Sequence, residues 1–277
     1  MVPPPMKDGK IPVILFNLGG SLMNLIATII AVIVLILGYG VLKSYLIVSI
    51  ITFILLGGLL FLTNALPISS ALISNDGCNA IALSKNKEAM FSFWVQLMVM
   101  DMQSKGIRLK DMPDEWFYIP SDEAMKNSMV SALGVFTCNR LMDQEKFTEA
   151  DRIMAHILSI KSGIVGIYRH LLICDRIYIE LINENRRNVV AAMYTEVLKK
   201  TMKSMKKIPS VLRTEYSLAL LYENDRQKAE KIEAEFKKVS SAYPYQNDIL
   251  VEWNFMMRAK KLYQSNTKDE NVHAVFM

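Results

Sequence analysis

The stretch LGGSLMNLIATIIAVIVLIL, residues 18 to 37, decides the architecture of this chain because it contains no charged residue. About 20 helical residues cross the ~30 Å hydrocarbon core of a bilayer, so the stretch predicts a membrane helix at about 18–38. A short turn around Lys43 follows, and a second apolar run predicts a returning span at about 44–66. Only closed hydrogen-bonding structures survive in lipid, so we expect both spans to be helices that form an antiparallel hairpin.

Charge divides the chain into two parts. Of the 277 residues, 52% are hydrophobic and 21% are charged, but between Ile11 and Asn75 the only formal charge is Lys43. From Lys85 onward, charges come every few residues. This distribution predicts a membrane domain at 1–84, followed by a soluble part that is large enough to have its own core.

The flanking lysines predict the orientation of the hairpin. Lys7 and Lys10 precede the first span, Lys85 and Lys87 follow the second, and Lys43 lies at the tip. Because positive residues favour the cytoplasmic side, we expect a multi-pass protein of the cell membrane with both termini in the cytoplasm and the lipid bilayer as its first partner. The first residues, MVPPPMKDGKIP, do not resemble a signal peptide.

Composition also excludes some partners. The net charge of +5 is small for the length, and no basic run alternates with aromatic residues, so nucleic acid is not an expected partner. Three cysteines, Cys78, Cys138 and Cys174, are an odd number in apolar surroundings. They predict reduced thiols in a cytoplasmic compartment and no disulfide framework.

The soluble part reads as α-helical throughout, so the predicted fold class is all-α. We expect a linking helix and loop at 85–120, a helical domain at 121–265 and a flexible tail at 266–277. Ser121 is the expected N-cap of a helix that ends near Asp143. Further helices are expected at about 164–183, 186–206, 209–223, 225–242 and 245–263.

Short connections between amphipathic helices predict antiparallel helical hairpins. The spacing of Leu141, Phe147, Ala150 and Met154 is similar to the tetratricopeptide pattern of large, aromatic, alanine and large residues. This predicts tetratricopeptide-like stacking, with an irregular helical bundle as the alternative. Such a domain would bind a peptide or a membrane-protein substrate.

Polar residues cluster at the two ends of the hairpin that are predicted to be cytoplasmic. One cluster opens the first span and the other closes the second: Asn17, Gly19, Gly20 and Asn24, and then Asn64, Pro67, Asn75, Asp76 and Gly77. Glycines allow membrane helices to approach closely, and asparagines supply hydrogen bonds between them, which is a purely structural interpretation. An ionisable residue at the edge of a membrane span is, however, a functional hypothesis by default.

These residues carry a resemblance to a known family. The stretch NLGGSLMNLI, residues 17 to 26, resembles the glycine-rich segment with a downstream asparagine in site-2 proteases, a family of intramembrane zinc metalloproteases. NALP at 64 to 67, followed by Asp76 and Gly77, is similar to the Asn-x-x-Pro and Asp-Gly motif of that family. The resemblance implies that Asp76 is a zinc ligand and that Asn64, Pro67, Gly77, Gly19, Gly20 and Asn24 shape its surroundings.

The resemblance also shows what this chain lacks. The family takes its other two zinc ligands and its general base from a His-Glu-x-x-His helix, in which two histidines share one face. This chain has only His156, His170 and His273, and none has a second histidine four residues later. One ligand does not make a zinc site, so we expect zinc in a complete homologue and none bound by this chain alone.

Three functions are compatible with this sequence. The first is the distal half of a site-2-type protease, inactive as given, either because the chain is a fragment or because it is a pseudoprotease. The second is a noncatalytic membrane-anchored helical-repeat adaptor for protein partners. A small transporter or toxin-type hairpin is a third possibility, which the absence of a charged pathway through the spans disfavours.

Overall fold

The computed structural model describes residues 3–7, 9–68 and 75–275, with side chains through residue 266. Its described residues are helical or irregular, and their only β-type pairing is an isolated bridge between Lys7 and Lys10. This confirms the all-α prediction. The chain divides into two compact units, residues 2–94 and residues 95–277.

The first unit begins with the predicted hairpin. Its helices are α1 (Val13–Gly38), α2 (Ser44–Ala65), α3 (Asp76–Lys85) and the first part of α4 (Lys87–Ser104). α1 packs along α2, and α3 packs against α1 and, less extensively, against α2. α1 starts five residues before the predicted boundary, because Pro12 precedes its first residue and its missing N–H costs nothing there.

α1 and α2 are long and apolar enough to cross a membrane. They contain 26 and 22 residues, and large apolar side chains such as Leu37, Leu55 and Leu59 remain more than half exposed. Only Val13 and Ser21 are buried in α1, and no residue of α2 is buried. A pair of helices that leaves its apolar surface outward fits a lipid environment better than a water-exposed one.

The second unit contains the end of α4 and eight further helices. They are α5 (Ser128–Asp143), α6 (Phe147–Ser159), α7 (Gly166–Ile182), α8 (Arg187–Met193), α9 (Glu196–Ser204), α10 (Pro209–Ser217), α11 (Arg226–Ser240) and α12 (Gln246–Val275). A π-helical segment, Leu218–Tyr222, continues α10. Three short 3₁₀ turns lie between α4 and α5.

The helices of this unit pack around a shared core. α5 packs on α6 and α6 on α7, while α10 contacts α7, α11 and α12. The connections are tight: Glu145, Asn185 and Asn224 adopt left-handed backbone conformations with φ of 57°, 49° and 56° just after a helix or the π-helical segment ends. Asparagine tolerates this conformation better than most residues, and such residues commonly terminate helices.

Several predicted boundaries were wrong. The helix expected from Ser121 begins instead at Ser128, where the Asn127 side chain accepts hydrogen bonds from two backbone N–H groups, and Ser121 caps only a 3₁₀ turn. The helix expected at 186–206 is broken at Tyr194, which is not helical, and Thr195, which caps α9. Finally, α12 extends to Val275, beyond the predicted helix end at about 263.

The tetratricopeptide-like stacking is not confirmed. The four residues that suggested it do lie in the core between α5, α6 and α7, with Ala150 and Met154 fully buried and Leu141 and Phe147 only 8% exposed. Their spacing therefore reflects the packing of a buried helical hairpin. Beyond it, the short helices α8 and α9 and the π-helical segment interrupt any regular succession of equal helix pairs.

Candidate functional site: the corner between α2 and α3

A polar stripe on α1 faces the rest of the first unit. Asn17, Ser21, Asn24 and Thr28 follow one another at spacings of four, three and four, which puts them on one side of a helix. The Oγ atoms of Ser21 and Thr28 are buried and have no hydrogen-bond partner among the described residues, while Asn17 Nδ2 donates to the Val13 carbonyl at 2.7 Å. The stripe is thus the packed face of α1.

Gly57 allows α1 and α2 to approach closely along this stripe. A Cβ at Gly57 would collide with Thr28 Oγ1 and lie 3.9 Å from the Asn24 carbonyl oxygen. Gly19 and Gly20 have no comparable contact, since a Cβ at either would meet no described atom within 4 Å. The helix-packing role that the sequence suggested for these two glycines is therefore taken by Gly57.

Pro67 ends α2 and turns the chain toward α3. The residue before a proline avoids the helical conformation, and Leu66 is extended, with φ −71° and ψ 135°. Asn64 lies in the last turn of α2 and is partly buried, whereas Pro67 is exposed. The predicted loop at 64–77 is therefore shorter than expected, because its first residues are helical, and residues 69–74 fall outside the described part of the chain.

Asn75 ties the two sides of the corner together. Its Oδ1 accepts hydrogen bonds from the N–H groups of Cys78 at 3.1 Å and Ile68 at 3.2 Å. Its Nδ2 donates to the carbonyl of Thr63 at 2.7 Å and to that of Leu66. One side chain therefore caps α3 and satisfies two carbonyl groups at the end of α2, which helix termini otherwise leave unpaired.

Asp76 and Gly77 form the first turn of α3, directly after this cap. A Cβ at Gly77 would collide with the Ala65 carbonyl group, so only glycine allows α3 to start this close to the end of α2. Asp76 is partly buried, and its carboxylate has no hydrogen bond or ion pair within the described residues. A negative charge in the first helical turn also interacts favourably with the helix dipole.

These residues do not fit a catalytic zinc by themselves. Such a site takes three protein ligands, and no group of three His, Cys, Asp or Glu side chains in the described part of the chain could hold a metal. His156 and His170 belong to the second unit, in α6 and α7. The side chain of His273 lies beyond the described side chains. Asp76 is therefore the candidate ligand that the resemblance implies, and Cys78, two residues later, adds only one further metal-ligating side chain to the described part of this corner.

The histidines of the second unit have ordinary structural partners. His156 Nε2 lies 2.8 Å from the Asp122 carboxylate in a half-exposed pair. His170 Nδ1 lies 2.8 Å from the Gly166 carbonyl oxygen, one turn earlier. Cys174 is buried, and desolvation raises its pKa to about 12, which opposes thiolate formation and metal binding.

The second unit contains a buried charge cluster that sequence reasoning missed. Arg213 on α10 is fully buried, donates a hydrogen bond to Asp175 on α7 and has its Nε 3.0 Å from Glu252 Oε2 on α12. Its guanidinium also lies 4.4 Å from the centre of the Tyr178 ring. One available signal was Asp175 itself, which stands among apolar residues in the sequence LLICDRIYI.

Burial and mutual charge set the protonation of this cluster. Desolvation raises the pKa of Glu252 to about 7, with Arg213 opposing that rise and Asp175 contributing to it. Desolvation also raises the pKa of Asp175, again against the effect of Arg213. Burial opposes the charge on Arg213, but Glu252 and Asp175 keep its pKa above the ordinary value. The arginine stays charged while one of its carboxylates titrates near neutral pH.

Comparison with known proteins adds no relative: no protein-family model, curated protein or solved structure matches the chain. Two features are therefore available for a functional argument. One is the corner that positions Asp76, and the other is the buried charge cluster of the second unit.

Proposed function

We propose that this chain is the aspartate-bearing part of a site-2-type intramembrane zinc protease. In this proposal α1, α2 and α3 lie in the membrane domain, Asp76 is one metal ligand, and both chain ends face the cytoplasm. The residues of this chain do not complete the zinc site, so we assign it no hydrolytic step. The two histidine ligands and the general base would come from a His-Glu-x-x-His helix that lies outside these 277 residues.

The corner between α2 and α3 is the observation that carries this proposal. Asn75 holds the end of α2 and the start of α3 with one side chain, and Gly77 allows the two helices to meet without a gap. This leaves the Asp76 carboxylate in a fixed position with no described hydrogen-bond or ion-pair partner. Irregular backbone near the edge of a membrane is tolerated where it is buried in protein or lines a cavity, which is also where a metal ligand is needed.

The packing of α3 against α1 supports the same proposal. α1 carries the glycine-rich segment and the polar stripe of Asn17, Ser21, Asn24 and Thr28, and α3 lies against this helix. The two motifs that resemble the family are therefore on helices that are in contact. A plain membrane anchor needs neither the polar stripe nor the tight corner, because two apolar helices can associate through small residues alone.

A noncatalytic membrane-anchored adaptor is the second candidate. The observation that favours it is that the unit at 95–277 has an extensive core of its own, to which all its larger helices contribute. In both candidates this unit would bind a protein substrate or partner at the membrane surface. The candidates differ in whether Asp76 contacts a metal.

Zinc content in the native membrane distinguishes the two candidates. Tagged chain is extracted from its own cells, where a histidine-bearing helix that completes the site would be present, and zinc is quantified per chain. We expect one zinc per chain for the wild type, and its loss in Asp76→Asn. Asp111→Asn, which changes an exposed aspartate in the second unit, is the matched control and should keep the zinc.

The same chain expressed in an unrelated host provides the second arm. Here we expect no zinc that depends on Asp76, because one carboxylate alone does not retain the metal. If wild-type chain from native membranes has no Asp76-dependent zinc, the protease proposal is wrong. Co-purification of a protein partner through residues 95–277 would then favour the adaptor.

A further inference from the structure

A cavity of about 210 Å³ opens inside the second unit, between α5, α7, α10 and α12. A single water needs only ~10–15 Å³ by this kind of measure, so the space is large enough for part of an organic ligand. Its wall includes the buried charge cluster, and its rim includes Tyr168, which is 41% exposed. The cavity is therefore open to solvent at its rim and has charged side chains in its wall.

The charges on this wall favour a cation. Four carboxylates line the cavity, those of Asp143, Asp175, Asp248 and Glu252, against two guanidinium groups, those of Arg108 and Arg213. Arg108 is paired with Asp143, and both oxygens of Asp248 accept from Gln103 Nε2, at 3.1 and 3.2 Å. Arg213 is shared by Asp175 and Glu252, so the wall has two more carboxylates than guanidinium groups, which would attract a positively charged group.

Three buried polar atoms on this wall lack a hydrogen bond among the described residues: Glu252 Oε2, Arg213 Nε and Arg213 Nη1. Glu252 Oε2 is an unfilled acceptor, because its 3.0 Å approach to Arg213 Nε does not have hydrogen-bond geometry. Arg213 Nη1 is an unfilled donor on a residue that is 0% exposed. A buried polar group without a partner costs free energy, so a ligand that brings both a donor and an acceptor would be stabilised here.

We propose that this cavity binds the free N-terminus of a peptide, with its α-ammonium group on Glu252 and its first carbonyl oxygen on Arg213 Nη1. In a peptide the α-nitrogen and the carbonyl oxygen are separated only by Cα and the carbonyl carbon, so they can reach two adjacent groups. A free amino acid would instead bring a carboxylate among four others. A simple amine would leave Arg213 without an acceptor.

The binding should depend on pH through Glu252. The groups that face it are Asp175 and Tyr178 from α7, Arg213 from α10, Tyr243 from the loop before α12 and Asp248 one turn earlier on α12. Desolvation is the main reason that its pKa is raised to about 7. The ammonium binds better when Glu252 is ionised. The affinity should therefore fall as pH decreases below about 7, by up to about tenfold per pH unit.

Calorimetric titration of the full chain in detergent tests this proposal, with trialanine amide as the probe. We expect saturable binding with a Kd below about 1 mM, and no binding of N-acetyl-trialanine amide. Butylamine and free alanine should each bind at least about tenfold more weakly. The variant Glu252→Gln should bind trialanine amide at least about tenfold more weakly than the wild type. The control Glu149→Gln, which changes an exposed glutamate on α6, should leave the affinity unchanged.

Each other outcome counts against the proposal. Absence of saturable binding, equal binding of the acetylated peptide, or unchanged binding by Glu252→Gln would overturn it. Equal or tighter binding of butylamine or alanine would overturn the assignment to a peptide N-terminus. If Glu252→Gln does not fold, Asp248→Asn replaces it, and unchanged affinity in that variant would be equally decisive. None of these results bears on zinc at Asp76.

Discussion

Replacing Arg213 by methionine should destabilise the second unit strongly at alkaline pH. The substitution keeps the length of the side chain but removes the positive charge between Asp175 and Glu252 and the stacking on Tyr178, in a side chain that is fully buried. Removal of one partner from a buried ion pair typically costs about 3–5 kcal/mol. For a unit of this size, a loss of about 4 kcal/mol corresponds to a decrease in Tm of roughly 8–16 °C.

The pH dependence of this loss identifies its cause. In the wild type, Arg213 opposes the rise in the pKa values of Asp175 and Glu252. Without Arg213, both pKa values should therefore rise further. At pH 5 both carboxyls would then be neutral and the destabilisation small, whereas at pH 8 at least one uncompensated charge would be buried. The penalty of Arg213→Met should therefore be several kcal/mol larger at pH 8 than at pH 5.

The penalty is measured by thermal unfolding of the full chain in detergent. Pulsed hydrogen exchange in α7, α10 and α12 is the readout, so that the transition of the second unit is monitored. Arg152→Met, which changes an exposed arginine on α6, is the control and should shift the transition by less than about 0.5 kcal/mol. A loss below about 1 kcal/mol for Arg213→Met at pH 8, or an equal loss at both pH values, would refute the reasoning.

Three further predictions concern single residues. Wild-type stability should decrease as pH rises from about 4.5 to about 7, because the raised pKa of Glu252 means that the folded state binds this proton more tightly than the unfolded state does. Glu252→Gln should abolish this decrease, which pH-dependent unfolding measures. Asn75→Ala should cost about 1–2 kcal/mol locally and speed hydrogen exchange in the first turn of α3 several-fold, whereas unchanged exchange would contradict its capping role. Gly57→Leu should lower the thermal stability of the hairpin in detergent by about 1–3 kcal/mol through its clash with Thr28, while Gly58→Leu, which meets open space, should not; equal effects would contradict the close approach.

The apolar hairpin could be predicted because a long uncharged run leaves few structural alternatives. An uncharged run of this length must be a helix, and its ends follow from glycine, proline and lysine. The helical class of the second unit was similarly clear from its periodicity. Helix boundaries were harder: Asn127 outcompetes Ser121 as a cap, and Tyr194 interrupts a pattern that continues on both sides of it.

The candidate sites were harder to predict from the sequence than the fold. Asp76 was singled out by its isolation in an apolar region, but the role of Asn75 depends on carbonyl groups of α2 that are 9 and 12 residues away, at Leu66 and Thr63. The buried cluster joins Asp175, Arg213 and Glu252 from three helices. Asp175 stands in an apolar stretch, but Arg213 and Glu252 look like ordinary surface charges in the sequence, because only tertiary packing puts the three together.

X-ray absorption at the zinc edge, on chain extracted from its native membrane, tests the central claim most directly. We expect a four-coordinate zinc whose scattering contains two imidazole ligands and a carboxylate oxygen, at about 2.0–2.2 Å, with the oxygen shell altered or the zinc lost in Asp76→Asn. A zinc shell that is identical in wild type and Asp76→Asn, or native material without zinc, would contradict the assignment of Asp76 as a metal ligand.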